Sequence, residues 1–109
     1  MAASRQVLDT VNQILQLLVN CDYDAIEKVS NGVRLSATEI KQAVDQYGRS
    51  LEMPPEDSEL DIVEIEGGKG WSVRCDLWTK EEGRSDLTLE LTIVNENNFR
   101  VEVDDIHVL

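Results

Sequence analysis

The chain has 109 residues and a net charge of −12, from 22 acidic and 10 basic side chains. This length is about that of one ordinary domain with its own core, so we predict a single domain over residues 1–109. Fifteen of the acidic side chains but only five of the basic ones lie in residues 56–109. Such a surface repels phosphate backbones and anionic lipids, which argues against nucleic acid and membrane partners.

No stretch of the chain approaches the roughly 18 consecutive apolar residues of a membrane span, and no secretion signal is recognisable at its start. We therefore expect a soluble, cytoplasmic protein. Cys21 and Cys75 lie far apart and outside the CxxC spacing of zinc and redox sites, which predicts two free thiols. No motif for a phosphate loop, a metal or a nucleophile with its base is present, and we expect no cofactor and no metal.

The first half of the chain has the apolar spacing of amphipathic helices. A first helix is predicted over residues 5–19, with Ser4 as its N-cap. Its apolar stripe consists of Val7, Val11, Ile14, Leu15 and Leu18. A short second helix is predicted to begin at Asp24, with Glu27 three positions later, and to stop at Asn31-Gly32.

The third helix has the clearest signals at its ends. Ser36 and Glu39 have the spacing of a capping box, and Gly48 stands where a left-handed residue ends a helix. The double proline that follows cannot continue a helix. We therefore divide the domain into a helical half, 4–48, a connector, 49–59, and a sheet half, 60–109.

Beyond the connector the hydrophobic period changes from about 3.6 to 2. Alternating apolar residues predict strands around Trp71–Leu77, Leu87–Ile93 and Phe99–Val103. A further strand over Leu60–Glu66 changes parity once, which predicts a bulge. The links GGKG, EEGRS and NENN are typical of hairpin turns. The predicted fold is α+β, with the helices packed on one face of a four-stranded antiparallel meander.

The last stretch, RVEVDDIHVL, holds the only histidine of the chain. Regular alternation would bury Asp105 and His107 and expose Ile106 and Val108, and both outcomes are unfavourable. A parity switch near Asp104-Asp105 is therefore predicted, after which Ile106 and Val108 face the core and His107 faces solvent. The alternative is a functional Asp105–His107 pair for general acid–base chemistry. One histidine does not specify a metal site.

The polar face of the predicted sheet offers a candidate binding surface. It carries a mixed set of charges around one large aromatic residue: Arg74, Asp76, Trp78, Glu90 and Arg100. Cross-strand ion pairs on a wet surface would account for the charges. They would not account for Trp78, because a large aromatic side chain is costly to leave exposed. Trp78 is therefore the predicted anchor of an interface or a ligand.

The run GWSVRCDLWTKEEGRSDLTLELTIVNENNFRVEVDDIHVL resembles the C-terminal half of a family of uncharacterised bacterial proteins with a domain of unknown function. The resemblance extends from Leu35 onward and implies no known activity. More loosely, helices followed by a meander that ends in FRVEVDDIHV are similar to the cystatin-like and NTF2-like roll. That likeness implies a curved sheet around a helix and, in its enzymes, an Asp/His pocket. This chain is shorter than those enzymes, and leucines fill its strand faces.

The sequence is compatible with three functions. The first is a non-enzymatic binding or assembly module that uses the outer sheet face around Trp78, as a homodimer or with another protein. The second is an immunity or antitoxin-like role, in which the acidic half covers a basic toxin. The third is an NTF2-like enzyme or ligand carrier, which requires an enclosed cavity of at least about 300 Å³ near Asp105 and His107.

Overall fold

Three helices are followed by five strands, in the order that the change of hydrophobic period predicts. The computed structural model describes residues 5–56, 58, 60–96 and 99–108. The helices are α1, Arg5–Val19; α2, Tyr23–Ser30; and α3, Ala37–Tyr47. The strands are β1, Leu51–Glu52; β2, Asp61–Ile65; β3, Gly70–Thr79; β4, Gly83–Val94; and β5, Arg100–Val108. The α+β class is confirmed. Within the described ranges, no helix is long and apolar enough to cross a membrane.

The first and third helices form as their sequences predict. The whole apolar stripe of α1 is buried, while its predicted N-cap, Ser4, lies outside the described residues. In α3, the Ser36 hydroxyl accepts a hydrogen bond from the Glu39 N–H at 3.2 Å. The Glu39 carboxylate accepts one from the Ser36 N–H at 3.0 Å, which completes the capping box. Gly48 ends α3 with a φ of 73°.

The second helix begins earlier than predicted. Its N-cap is Asp22, whose carboxylate accepts a hydrogen bond from a backbone N–H of α2 at 3.3 Å, and the predicted cap, Asp24, lies inside the first turn. The cause is Cys21, whose left-handed φ of 58° ends α1 and turns the chain directly into α2. Glu27 accepts a hydrogen bond from the Ala37 N–H at 2.8 Å, so it joins α2 to the start of α3.

Strands β2 to β5 form the predicted antiparallel meander. β1 lies within the predicted connector and pairs with the same edge of β3 as β2 does: β1 faces Trp78 and Thr79, and β2 faces Gly70–Arg74. The bulge predicted in the region of β2 is wrong, because all five of its residues pair without a register shift. The apolar residues of β2 do not all lie on one face of the sheet, and Val63 lies on the outer face, where it is 58% exposed.

The predicted irregularity in β5 is confirmed. Glu90 and Leu91 are consecutive in β4, but they pair with Asp105 and Val103 of β5. Asp104 is therefore the extra residue of a bulge in β5. The shift lets Val103 and Ile106, three positions apart, both face the core, where they are 1% and 5% exposed. His107 then lies on the outer face, as predicted.

One face of the sheet packs against the helices and forms the core. The alternating apolar residues of β4 from Leu87 to Ile93 are at most 2% exposed, as their period predicts. The core ends before the last residue of β5. Val108 was predicted to face inward but is 56% exposed, because it lies at the rim of an open cleft that Ala43 and Tyr47 of α3 line.

Candidate functional site

The outer face of the sheet, opposite the helices, carries the side chains that the sequence singles out. Strand pairing sets five of them in two neighbouring rows. In one row, Arg74 of β3 lies opposite Glu90 of β4, which lies opposite Asp105 of β5. In the next row, Thr88 of β4 lies between Asp76 of β3 and His107 of β5. The sheet therefore brings together residues that lie far apart along the chain.

Arg100 does not join this group. It lies opposite Val94, which lies opposite Gly70. Gly70 and Trp78 are eight residues apart on β3, which places Arg100 roughly 27 Å from Trp78 along the strand direction. The guanidinium of Arg100 is held by the carboxylate of Glu102 at 2.8 Å. The predicted binding residues are therefore not one cluster, because Arg100 lies at the opposite end of the sheet face from Trp78.

His107 lies between two carboxylates. Its Nε2 is 2.5 Å from Glu90 Oε2, and its Nδ1 is 3.6 Å from Asp105 Oδ2. Asp105 also accepts a hydrogen bond from the Ile106 N–H at 2.9 Å, as expected where a bulge frees backbone donors. Both ring nitrogens therefore face acidic oxygens. Within the described part of the chain, no group of three or more His, Cys, Asp or Glu residues is arranged to hold a metal ion.

The edge of β3 is interrupted close to Trp78. β1 ends at Glu52, opposite Trp78, and β2 begins at Asp61, opposite Arg74. Continued in register, β1 would place Pro54 opposite Asp76, and proline has no N–H to donate to the ladder. The chain leaves the edge of β3 there. When it returns as β2, its register on β3 is offset by five residues from that of β1. A gap of three residues, 75–77, therefore separates the two strands along β3.

A groove of about 590 Å³ occupies this gap and opens onto the outer face. Its floor and walls include Arg74, Asp76, Trp78 and Arg84 from the sheet, with Pro54 from the connector and Leu60 from the position just before β2. We call these six residues the edge groove. Trp78 is half-buried within it. Trp78, Arg74 and Asp76 were predicted from the sequence. Pro54, Leu60 and Arg84 were not, because their approach to the groove depends on strand register.

The two arginines of the edge groove differ in their surroundings. The Arg84 Nε lies 3.2 Å from Asp76 Oδ2, so these two side chains form an ion pair. Arg74 is exposed and makes no ion pair or hydrogen bond with any part of the chain that the structure describes. A guanidinium without a partner, lining the same groove as an aromatic ring, is a ready partner for a carboxylate or another planar anion.

The groove also presents backbone groups that no neighbouring strand pairs. The Lys80 N–H donates to the Ser50 carbonyl on the β1 side at 2.9 Å, whereas the Leu77 carbonyl accepts from the Ser85 hydroxyl on the β4 side at 2.7 Å. Alternate residues of a strand direct their backbone groups to the same side, so those of Asp76 point into the gap. Among the described residues, no backbone hydrogen bond reaches Asp76 from that side.

Cys75 also borders the groove, and its thiol donates a hydrogen bond to the Asp76 carbonyl at 3.5 Å. The residue is 2% exposed, and burial raises the pKa of the thiol to about 11. A thiol with this pKa is neutral at physiological pH and is not a nucleophile. Cys21 is exposed, and neither cysteine forms a disulfide.

Comparisons with known proteins identify a family but no activity. Neither the curated proteins nor the solved structures include a match to this chain. The family described as Domain of unknown function (DUF7668) matches residues 15–109. Because this match covers most of the chain, including both α3 and the whole sheet, the protein belongs to that family.

Proposed function

We propose that the protein is a non-enzymatic binding module whose contact surface is the outer sheet face at the edge groove. The observation that carries the proposal is that one groove, at an interruption of the sheet edge, holds a half-buried Trp78 and an Arg74 with no partner among the described residues. Tryptophan and arginine are the residue types that most often dominate binding energy at protein interfaces, and a concave site lets them be desolvated together.

The surroundings of His107 favour binding over catalysis. A general base must offer a free nitrogen to the proton that it removes. Both nitrogens of His107 instead face Glu90 and Asp105. The thiol of Cys75 is buried and donates a hydrogen bond to the Asp76 carbonyl. The contact with Glu90 gives His107 a structural role in holding the end of β5 against β4.

The partner in this proposal is another polypeptide. A homodimer is one form of it, favoured by Val63, which is 58% exposed on the outer face of β2 and would be covered by a second copy. The net charge of −12 opposes self-association and favours a partner with basic residues, as in the immunity-protein hypothesis. Sedimentation velocity over a wide concentration range distinguishes the two forms.

The proposal is tested by selecting peptides from a random display library against the folded protein. We expect families of peptides that bind the wild type and lose binding to Trp78→Ala. The matched control is Arg100→Ala, which changes the same face at its far end and should retain binding. Peptides that bind Trp78→Ala as well as the wild type would refute the proposal. So would a protein that selects no peptide and stays monomeric at every concentration.

A further inference from the structure

The gap between β1 and β2 has a shape that restricts what can enter it. About four residue steps separate Trp78, where β1 ends, from Arg74, where β2 begins, a distance of roughly 13 Å at the spacing of a strand. An extended segment of two or three residues fits this length. A longer strand passing along the edge would collide with β1 on one side and β2 on the other, so the gap favours the end of a chain.

The two strands that border the gap give the direction of such a segment. Both β1 and β2 run antiparallel to β3. Consider a segment that pairs with β3 in the gap and runs in the same direction as β1 and β2. It enters near Trp78, forms backbone hydrogen bonds with the N–H and C=O of Asp76, and ends near Arg74. In this direction the group that arrives at Arg74 is the last one of the segment, which is a terminal carboxylate.

From this geometry we infer that the edge groove binds the C-terminal end of another polypeptide. The terminal carboxylate pairs with the Arg74 guanidinium, the last residues complete the ladder at Asp76, and an apolar side chain packs on Trp78. The inference rests on the proposed function and specifies the chemistry of its partner. Capture of a chain end by backbone donors and a cation is a recurrent mode of peptide recognition.

Charge complementarity sharpens the choice of ligand. Among the described residues, Arg74 is the cation of the edge groove that makes no ion pair, since Arg84 is bound to Asp76. Acidic residues face it from both neighbouring strands, Asp61 on β2 and Glu90 on β4. The preferred ligand therefore carries one carboxylate, at its terminus, with neutral or basic residues before it. A segment with several acidic side chains would be repelled by the same surroundings.

A matched pair of peptides tests the inference. We would titrate the isotope-labelled protein with short acetylated peptides that contain two lysines and end in valine followed by leucine, isoleucine or phenylalanine. Each is prepared with a free C-terminal carboxylate and with a carboxamide. The free acid is expected to shift the signals of the Asp76 amide and the Trp78 indole N–H saturably. The carboxamide is expected to bind at least about tenfold more weakly, because it lacks the charge-assisted pair.

Two variants connect this difference to the groove. Arg74→Gln should abolish the preference for the free acid, whereas Arg100→Gln, on the same face, should leave it unchanged. Equal binding of acid and carboxamide, or saturable shifts confined to surfaces outside the edge groove, would overturn the inference. So would the absence of binding across the whole peptide set. If library peptides still bind in a manner that depends on Trp78, the proposed function survives and only the terminal-carboxylate inference fails.

Discussion

Deletion of Asp104 should be tolerated, whereas deletion of Glu102, two positions earlier in the same strand, should unfold the protein. Asp104 is the extra residue of the β5 bulge. Without it, β5 becomes a regular strand in which Val103 and Ile106 still face the core. Without Glu102, the regular ladder instead sets Asp104 opposite Leu91 in the core and turns Val103 outward.

The magnitudes follow from the contacts that each deletion removes. Asp104 accepts a hydrogen bond from the Thr92 hydroxyl at 2.6 Å and lies 3.7 Å from the exposed guanidinium of Arg34. Loss of both should cost about 1–2 kcal/mol. In the Glu102 deletion, exposing Val103 costs about 1.5–3 kcal/mol and burying a carboxylate costs several kcal/mol more. That sum is comparable to the whole stability of a typical domain, about 5–15 kcal/mol.

Urea denaturation followed by far-UV circular dichroism measures both deletions. The substitution Asp104→Ala serves as a control, because it removes the side-chain contacts and keeps the chain length. We expect it to lose about the same 1–2 kcal/mol as the Asp104 deletion. The reasoning fails if the Asp104 deletion is unfolded, or if the two deletions are equally stable.

Three further predictions concern single positions. Gly70→Ala should lose more than about 2 kcal/mol of unfolding free energy, because an added Cβ at φ 154° would lie 2.1 Å from the Ile93 carbonyl oxygen; wild-type stability would contradict this contact. Ser36→Ala should lose about 1 kcal/mol in urea denaturation with the capping box, and an unchanged midpoint would contradict that role. Burial raises the pKa of the Cys75 thiol from 9.0 to about 11. The neutral thiol therefore contributes fully to the free energy of unfolding below pH 9, and this contribution is lost as the pH rises to 11. We expect the free energy of unfolding to fall by about 2–3 kcal/mol over this range in the wild type but not in Cys75→Ala.

Local patterns in the sequence determined much of this fold. The helices follow from apolar stripes and caps, and the meander follows from alternating residues between short turns, because both kinds of signal lie within a few neighbouring residues. The bulge at Asp104 was equally predictable, since the same rule that buries valine excludes aspartate from the core. Asp22 was missed as a cap because the left-handed turn at Cys21 depends on how α1 packs.

The tertiary structure decided which residues form the site. The pairing of His107 with Glu90 joins positions 17 apart, and the separation of Arg100 from Trp78 depends on the register of three strands. The edge groove exists because β1 and β2 share one edge of β3 while Pro54 prevents the ladder between them from closing. Alternation along a strand tells which face a side chain occupies, but the neighbour across the sheet is set by register, which no single strand encodes.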